Sequence, residues 1–151
     1  MPNVLLSVPH FEQSRDGYCL PACLRMVFAY HGHPTSEATL AQRLGTTLFG
    51  TPLSNAQRLQ TRRIKVQITS LTVEQLQQHL QQNIPVIVRL WTQMLTYWHQ
   101  DTSHVALVVG FDEESVYLND PAFADAPQLV VWDSFLAAWA EFDERSIIVS
   151  R

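Results

Sequence analysis

The chain carries only two cysteines, Cys19 and Cys23, among 151 residues. A disulfide-stapled scaffold would use more, and a structural zinc site would need four ligands, with no second cysteine pair to supply them. The two thiols are therefore core residues or chemistry. His31 and His33 have no third ligand nearby and read as a helix-end pair, so neither a metal nor a cofactor is expected. No stretch approaches the roughly 18 apolar residues that span a bilayer. The start, Met1 to Ser7, lacks a basic leader, and its apolar run is too short for a signal peptide. The cytoplasm is the expected location. Blocks of like charge are missing too. The net charge of −4 argues against nucleic acid or an anionic membrane as the main partner. The most basic stretch, Arg58 to Lys65 with Arg62 and Arg63, reads as a solvated helix end.

What is present fits one globular domain over residues 1–151, with 46% hydrophobic and 16% charged residues. At this length folding removes roughly 70% of the unfolded surface from water, enough for a sizeable core. Val4 to Val8 reads as a first strand stopped by Pro9, followed by a polar, turn-rich loop with Asp16-Gly17 as its strongest turn signal. Cys19, Ala22, Cys23, Met26, Val27 and Tyr30 then recur at helical spacing. Pro21 suits the first turn of that helix, and Gly32 and Pro34 end it. Further helices are expected from Ser36 to Gly45, from Asn55 to Arg63, from Thr72 to Asn83, and from a cap at Asp133 to Ala140. Strands are expected at Ile64–Ile68, Pro85–Leu90, Val105–Phe111, Val116–Leu118 and Ser146–Val149, with brief pairing at Val130 and Val131. Helices first and then mostly strands joined by short turns predict an α+β fold, with a helical layer on an antiparallel sheet.

Four residues stand out chemically. Cys19 falls at a helix N-terminus after a loop, where a thiol pKa drops and the thiolate becomes available as a nucleophile. Taken alone it could equally be a small core residue. Cys23, one turn later, reads as core. His104 opens an apolar strand, which would hold its ring rigidly at a cleft mouth; alone it could be a surface histidine at a strand end. Asp120 ends the following strand. A tight turn at Asp112-Glu113-Glu114 should pair the two strands as a hairpin, bringing Asp120 back beside His104. A carboxylate there can orient the imidazole toward a thiol. Gln13, six residues before Cys19, can offer a side-chain N–H to a developing oxyanion. The aromatic segment Trp91 to Trp98 reads as core more readily than as a substrate wall.

These residues resemble the start of the bacteriocin-processing cysteine peptidase family: Gln13, then Tyr18-Cys19-Leu20-Pro21-Ala22-Cys23-Leu24, then Tyr30-His31-Gly32. Gly50-Thr51 and the helix around Leu59 look like its middle segment. His104 to Asp112 and Val116 to Pro121 look like its His and Asp motifs. Its members are papain-like domains that cut double-glycine leader peptides, often fused to ABC transporters. The resemblance implies a papain-like cysteine peptidase fold, with Cys19 as nucleophile, His104 as base, Asp120 as orienting carboxylate and Gln13 as oxyanion donor. The chain departs in having Leu20 where the family often has glycine, and in standing without a transporter. The implied partner is a peptide or protein substrate, with a partner protein or transporter unseen in the sequence. A catalytically silent binding module and another acyl-transfer enzyme on the same triad, such as a transferase or deamidase, remain the alternatives.

One outcome follows from the residues alone. Cys19 should be alkylated by iodoacetamide faster than Cys23 at neutral pH, and His104→Ala should slow it; peptide mapping of the labelled thiols reads both. Equal labelling of the two would count against a paired, activated Cys19.

Overall fold

A computed structural model describes residues 2–151. Its elements in chain order are β1 (Val4–Leu5), α1 (Cys19–Tyr30), α2 (Glu37–Leu44), a 3₁₀ segment (Leu53–Leu59), β2 (Lys65–Ser70), α3 (Val73–Gln81), β3 (Val86–Trp91), a short 3₁₀ turn (Thr92–Met94), β4 (Ser103–Phe111), β5 (Ser115–Asn119), β6 (Gln128–Val131), α4 (Trp132–Ala140) and β7 (Arg145–Ser150). The local signals explain most boundaries. Ser36 accepts a hydrogen bond from the Thr39 N–H and Gly45 closes α2 in the left-handed conformation, as cap chemistry demands. Thr72 and Gln75 form a reciprocal capping box on α3. The expected Asn55–Arg63 helix is instead the 3₁₀ segment. Its buried residues Leu53, Ala56 and Leu59 repeat every third position, which matches three residues per turn. Arg58, from the basic stretch, donates to the Leu44 carbonyl at the end of α2. Asp133 does not cap α4. Val131 takes the cap position without a side-chain bond, and Asp133 sits in the first turn, where its charge suits the helix dipole.

The strands make one antiparallel sheet in the order β2-β7-β3-β4-β5-β6, with β1 added on β4. Helices cover both faces, not one as the sequence suggests. On one face α1, α2 and the 3₁₀ segment pack on Val66, Ile87, Val105, Leu107, Ile147 and Val149. On the other, α3 and α4 pack on Val86, Val88, Leu90, Ala106, Val108 and Ile148, with Phe135 and Trp139 fully buried. The physical reason lies in β3 and β4. Their apolar residues run without alternation, and such strands must be covered on both sides.

The register positions the chemistry. In the hairpin, Leu107 faces Asn119. One step further puts Asp120 opposite Ala106 and diagonal to His104, on the same face of the strand pair. The expected first strand shrinks to Val4–Leu5, which pairs with Gly110 and Phe111 past the last β3 partner, Val108. A Cβ on Gly110 would stand 2.3 Å from the Val4 carbonyl oxygen and 3.0 Å from the Leu5 Cα. Only glycine admits this close approach of β1. Gly110→Ala is expected to lift β1 off the sheet and cost about 1–3 kcal/mol, the usual range for overpacking, read by denaturant unfolding with faster amide exchange at Leu6.

Candidate active site

The loop before α1 turns at Asp16-Gly17, with Gly17 at a φ of 84°. A Cβ there would lie 2.6 Å from the Leu48 carbonyl oxygen, so the turn rests directly on the backbone of the 46–51 loop. The chain then enters α1, whose first residue is Cys19 and whose N-cap, Tyr18, supplies no side-chain cap. Cys19 is half-buried, while Cys23 is fully buried, with its thiol 3.6 Å from the Val105 carbonyl. Leu20 is only 1% exposed and turned into the core beneath α1, so the bulkier residue does not narrow the cleft.

Asp120 is completely buried and accepts four hydrogen bonds. Its Oδ1 receives His104 Nε2 at 2.6 Å and the Ala122 N–H at 2.9 Å. Its Oδ2 receives the Tyr97 hydroxyl at 2.7 Å and the Trp98 indole N–H at 2.9 Å. A buried carboxylate is tolerable only when satisfied in this way. Because Nε2 is committed to Asp120, His104 has Nδ1 left for the thiol. The Trp98 ring lies against the imidazole, centroids 4.6 Å apart, and Phe123 packs edge-on against Tyr97 and Trp98.

Gln13 lines the same cleft as Cys19 and His104. Its backbone N–H donates to the Pro121 carbonyl at 2.7 Å, tying the loop before α1 to the turn that carries Asp120. Its side-chain Nε2 donates to the Arg15 carbonyl at 3.0 Å, which leaves a second N–H on that nitrogen, while Oε1 is buried without a partner among the described residues. The next residue, Ser14, is clasped by the Glu37 carboxylate, at 3.0 Å through its N–H and at 2.5 Å through its hydroxyl. The cleft holds about 370 Å³. Gln13, Gly17 and Cys19 form one wall, Trp98 and His104 are on the other, and Phe49, fully exposed, stands at the rim.

Burial works against both charged forms of the central pair, and their mutual hydrogen bonding and charge overcome it. The His104 ring is pushed up to about 9, by Asp120 and then Cys19 against its burial. The Cys19 thiol, opposed by burial, is drawn below its ordinary value by His104. Burial also opposes ionisation of Asp120, and His104 together with the surrounding donors holds it below the usual carboxylate range. Burial pushes the Cys23 thiol well up, with Cys19 adding to it. The arrangement favours a thiolate–imidazolium pair at Cys19 and leaves Cys23 protonated.

The four residues singled out in the sequence thus come together at one end of the sheet. The sequence reading missed Tyr97 and Trp98 as partners of the carboxylate, and Glu37 as the clasp on the Gln13 loop. The core reading of the Trp91 to Trp98 segment holds for Leu95, Tyr97 and Trp98, and Trp98 is cleft wall as well. The available signal was chemical: a buried Tyr O–H or Trp N–H seeks a partner, and both lie just before His104.

The profile of the Peptidase_C39 like family matches residues 5–147. A C39-like peptidase from Bacillus anthracis shares the fold with a TM-score of 0.80 at 18% identity, over 98% of this chain and 97% of that one. A double glycine motif protease from an AMS/PCAT transporter, solved with the leader peptide, gives 0.76 at 18% identity over 98% and 94%. The peptidase domain of Streptococcus ComA, a bifunctional ABC transporter of a quorum-sensing pathway, gives 0.75 at 18% identity over 93% and 96%. No curated protein sequence matches the chain. No helix among the described residues is long and apolar enough to cross a membrane.

Because the His104 ring is raised in the folded state, its pairing stabilises the fold fully below about 6.5 and loses that contribution as pH rises through about 9. Imidazole NMR should show His104 titrating near 9. Asp120→Asn should move that midpoint down and slow iodoacetamide capture of Cys19 near neutrality; an unmoved midpoint would show that the two side chains are not coupled.

Proposed function

This chain belongs to the Peptidase_C39 like family, and from that premise we propose that it is a thiol hydrolase of peptide or protein amide bonds, acting through Cys19, His104, Asp120 and Gln13. The Cys19 thiolate attacks the scissile carbonyl carbon. The oxyanion that develops faces the free N–H of Gln13 Nε2 and the backbone N–H at the start of α1. His104, protonated in the resting pair, gives its proton to the leaving amine, and the C–N bond breaks to leave a thioester on Cys19. Water then attacks the thioester. His104 takes its proton, the acid product leaves, and the thiolate is restored. Asp120 holds the imidazole in one tautomer and orientation throughout, and stays ionised.

The observation that supports this reading most is the 2.6 Å bond between His104 Nε2 and Asp120, in the cleft that also receives the Cys19 thiol. Among the structural neighbours, one is a double glycine motif protease bound to a leader peptide. A peptide carrying a Gly-Gly step is therefore the first substrate to try, and the bond after the second glycine the first to look for. An ABC transporter as partner is carried over on the same basis.

The purified chain should cleave an internally quenched Gly-Gly peptide, and Cys19→Ala should lower turnover by about a thousandfold or more, as loss of a covalent nucleophile does. Hydroxylamine added during turnover should yield the peptide hydroxamate. Turnover that survives in Cys19→Ala would sink the proposal.

A further inference from the structure

One cation in the cleft is used neither by the proposed chemistry nor by an ion pair. Arg89 lies on β3 opposite Val105, one pair away from His104. Its neighbours from Val86 to Leu90 are buried apolar residues, and by alternation it shares the sheet face of Ile87, under α1. At Arg89 that face emerges into the cleft, which Arg89 lines together with Gln100, Thr102 and Ser103. The side chain is half-buried and fixed. Its Nε donates to the Ser103 hydroxyl at 2.8 Å, and its guanidinium carbon sits 5.1 Å from the Phe142 ring centroid.

No carboxylate is paired with it. Among the described residues the only ion pair within 4.0 Å is His104 with Asp120. Acids are not scarce, since 14 Asp and Glu accompany 10 Lys and Arg. A half-buried arginine held by Nε alone presents its two terminal nitrogens as a planar, permanently charged fork. That geometry matches a carboxylate in two parallel bonds. With Asp120 ionised behind His104, the Cys19–His104–Asp120 set carries one net negative charge in its ionised form. Among the described residues, Arg89 is the one Lys or Arg lining the cleft to offer an incoming carboxylate a positive charge. The one acid lining the cleft, Asp16, is exposed on the opposite wall, in the turn before α1.

We infer that Arg89 is a specificity-determining residue that binds a carboxylate of the substrate close to the scissile bond. The inference rests on the hydrolase reading for its substrate, while its electrostatic content does not. The carboxylate has two possible sources, an Asp or Glu side chain flanking the cleaved bond or the free C-terminus of a short peptide. The preference should be about tenfold or more in kcat/KM, the scale of one charge-assisted bond in a partly desolvated site.

The first experiment needs no substrate. Iodoacetate and iodoacetamide alkylate the same thiolate, but only iodoacetate carries a carboxylate. The ratio of their rates at Cys19 therefore cancels thiol reactivity. Arg89→Gln should lower that ratio about tenfold, and Arg89→Lys, which keeps the charge, should retain most of it. A ratio unchanged in Arg89→Gln overturns the inference, whether or not the chain is a peptidase. A lowered ratio in a chain that cleaves no peptide keeps the carboxylate site and sinks the hydrolase reading. The second experiment identifies the source, using Gly-Gly peptides that bear Asp or Asn after the cleaved bond, or end there in a free acid or an amide. Loss of the Asp-over-Asn preference in Arg89→Gln assigns the side chain, and loss of the acid-over-amide preference assigns the C-terminus. Cleavage that shows neither preference in the wild type overturns the inference.

Discussion

Everything in the cleft depends on one buried carboxylate. Asp120 has no contact with water, and an unpaired charge there would cost several kcal/mol. Its four donors come from three places: the start of β4, the aromatic segment before it, and the turn after β5. Satisfying the carboxylate therefore fixes those segments relative to one another. His104 gains its orientation as a by-product of that requirement. The same bond that stabilises the buried acid raises the ring and, through the ring, lowers the thiol. Stability and reactivity are two readings of one hydrogen-bond network.

The network reaches the opposite wall through the backbone. The Gln13 N–H on the Pro121 carbonyl and the Glu37 clasp on Ser14 hold the loop that delivers both Gln13 and the start of α1. Gly17, pressed on the 46–51 loop, sets how close that loop comes. The cleft is thus the gap left between a rigid sheet end and a loop anchored at three points. Its catalytic candidates come from elements far apart in sequence, which is the usual way a site is built on a scaffold.

How much of this was legible depended on whether the signal was local. The helix start at Cys19 was written in Asp16-Gly17 and Pro21, and the return of Asp120 to His104 in a short turn between two apolar runs. Those are near-neighbour effects, and the structure places the residues together accordingly. The helices on the second face were also written, in the unbroken apolar runs of β3 and β4, but an order of helices and then strands suggested a single layer. The Tyr97 and Trp98 bonds were not legible, because two aromatic residues in an irregular segment carry no period that says which way they point. Glu37 reads as an ordinary first-turn acid of α2, and only the fold shows that Ser14 lies beside it. Composition alone likewise gives no hint that Arg89 lacks a partner.

The sealing of Cys23 has a consequence for the chain's life under oxidants. An activated thiol that lines an open cleft, as Cys19 does, is the kind that peroxides convert to a sulfenic acid. Recovery is easiest when a second thiol nearby condenses with it. Cys23 is one helical turn away, yet its sulfur is locked in the core and held protonated, so it cannot serve. Repair of a sulfenylated Cys19 must come from thiols outside the chain, and where those run short the damage proceeds to the irreversible acids.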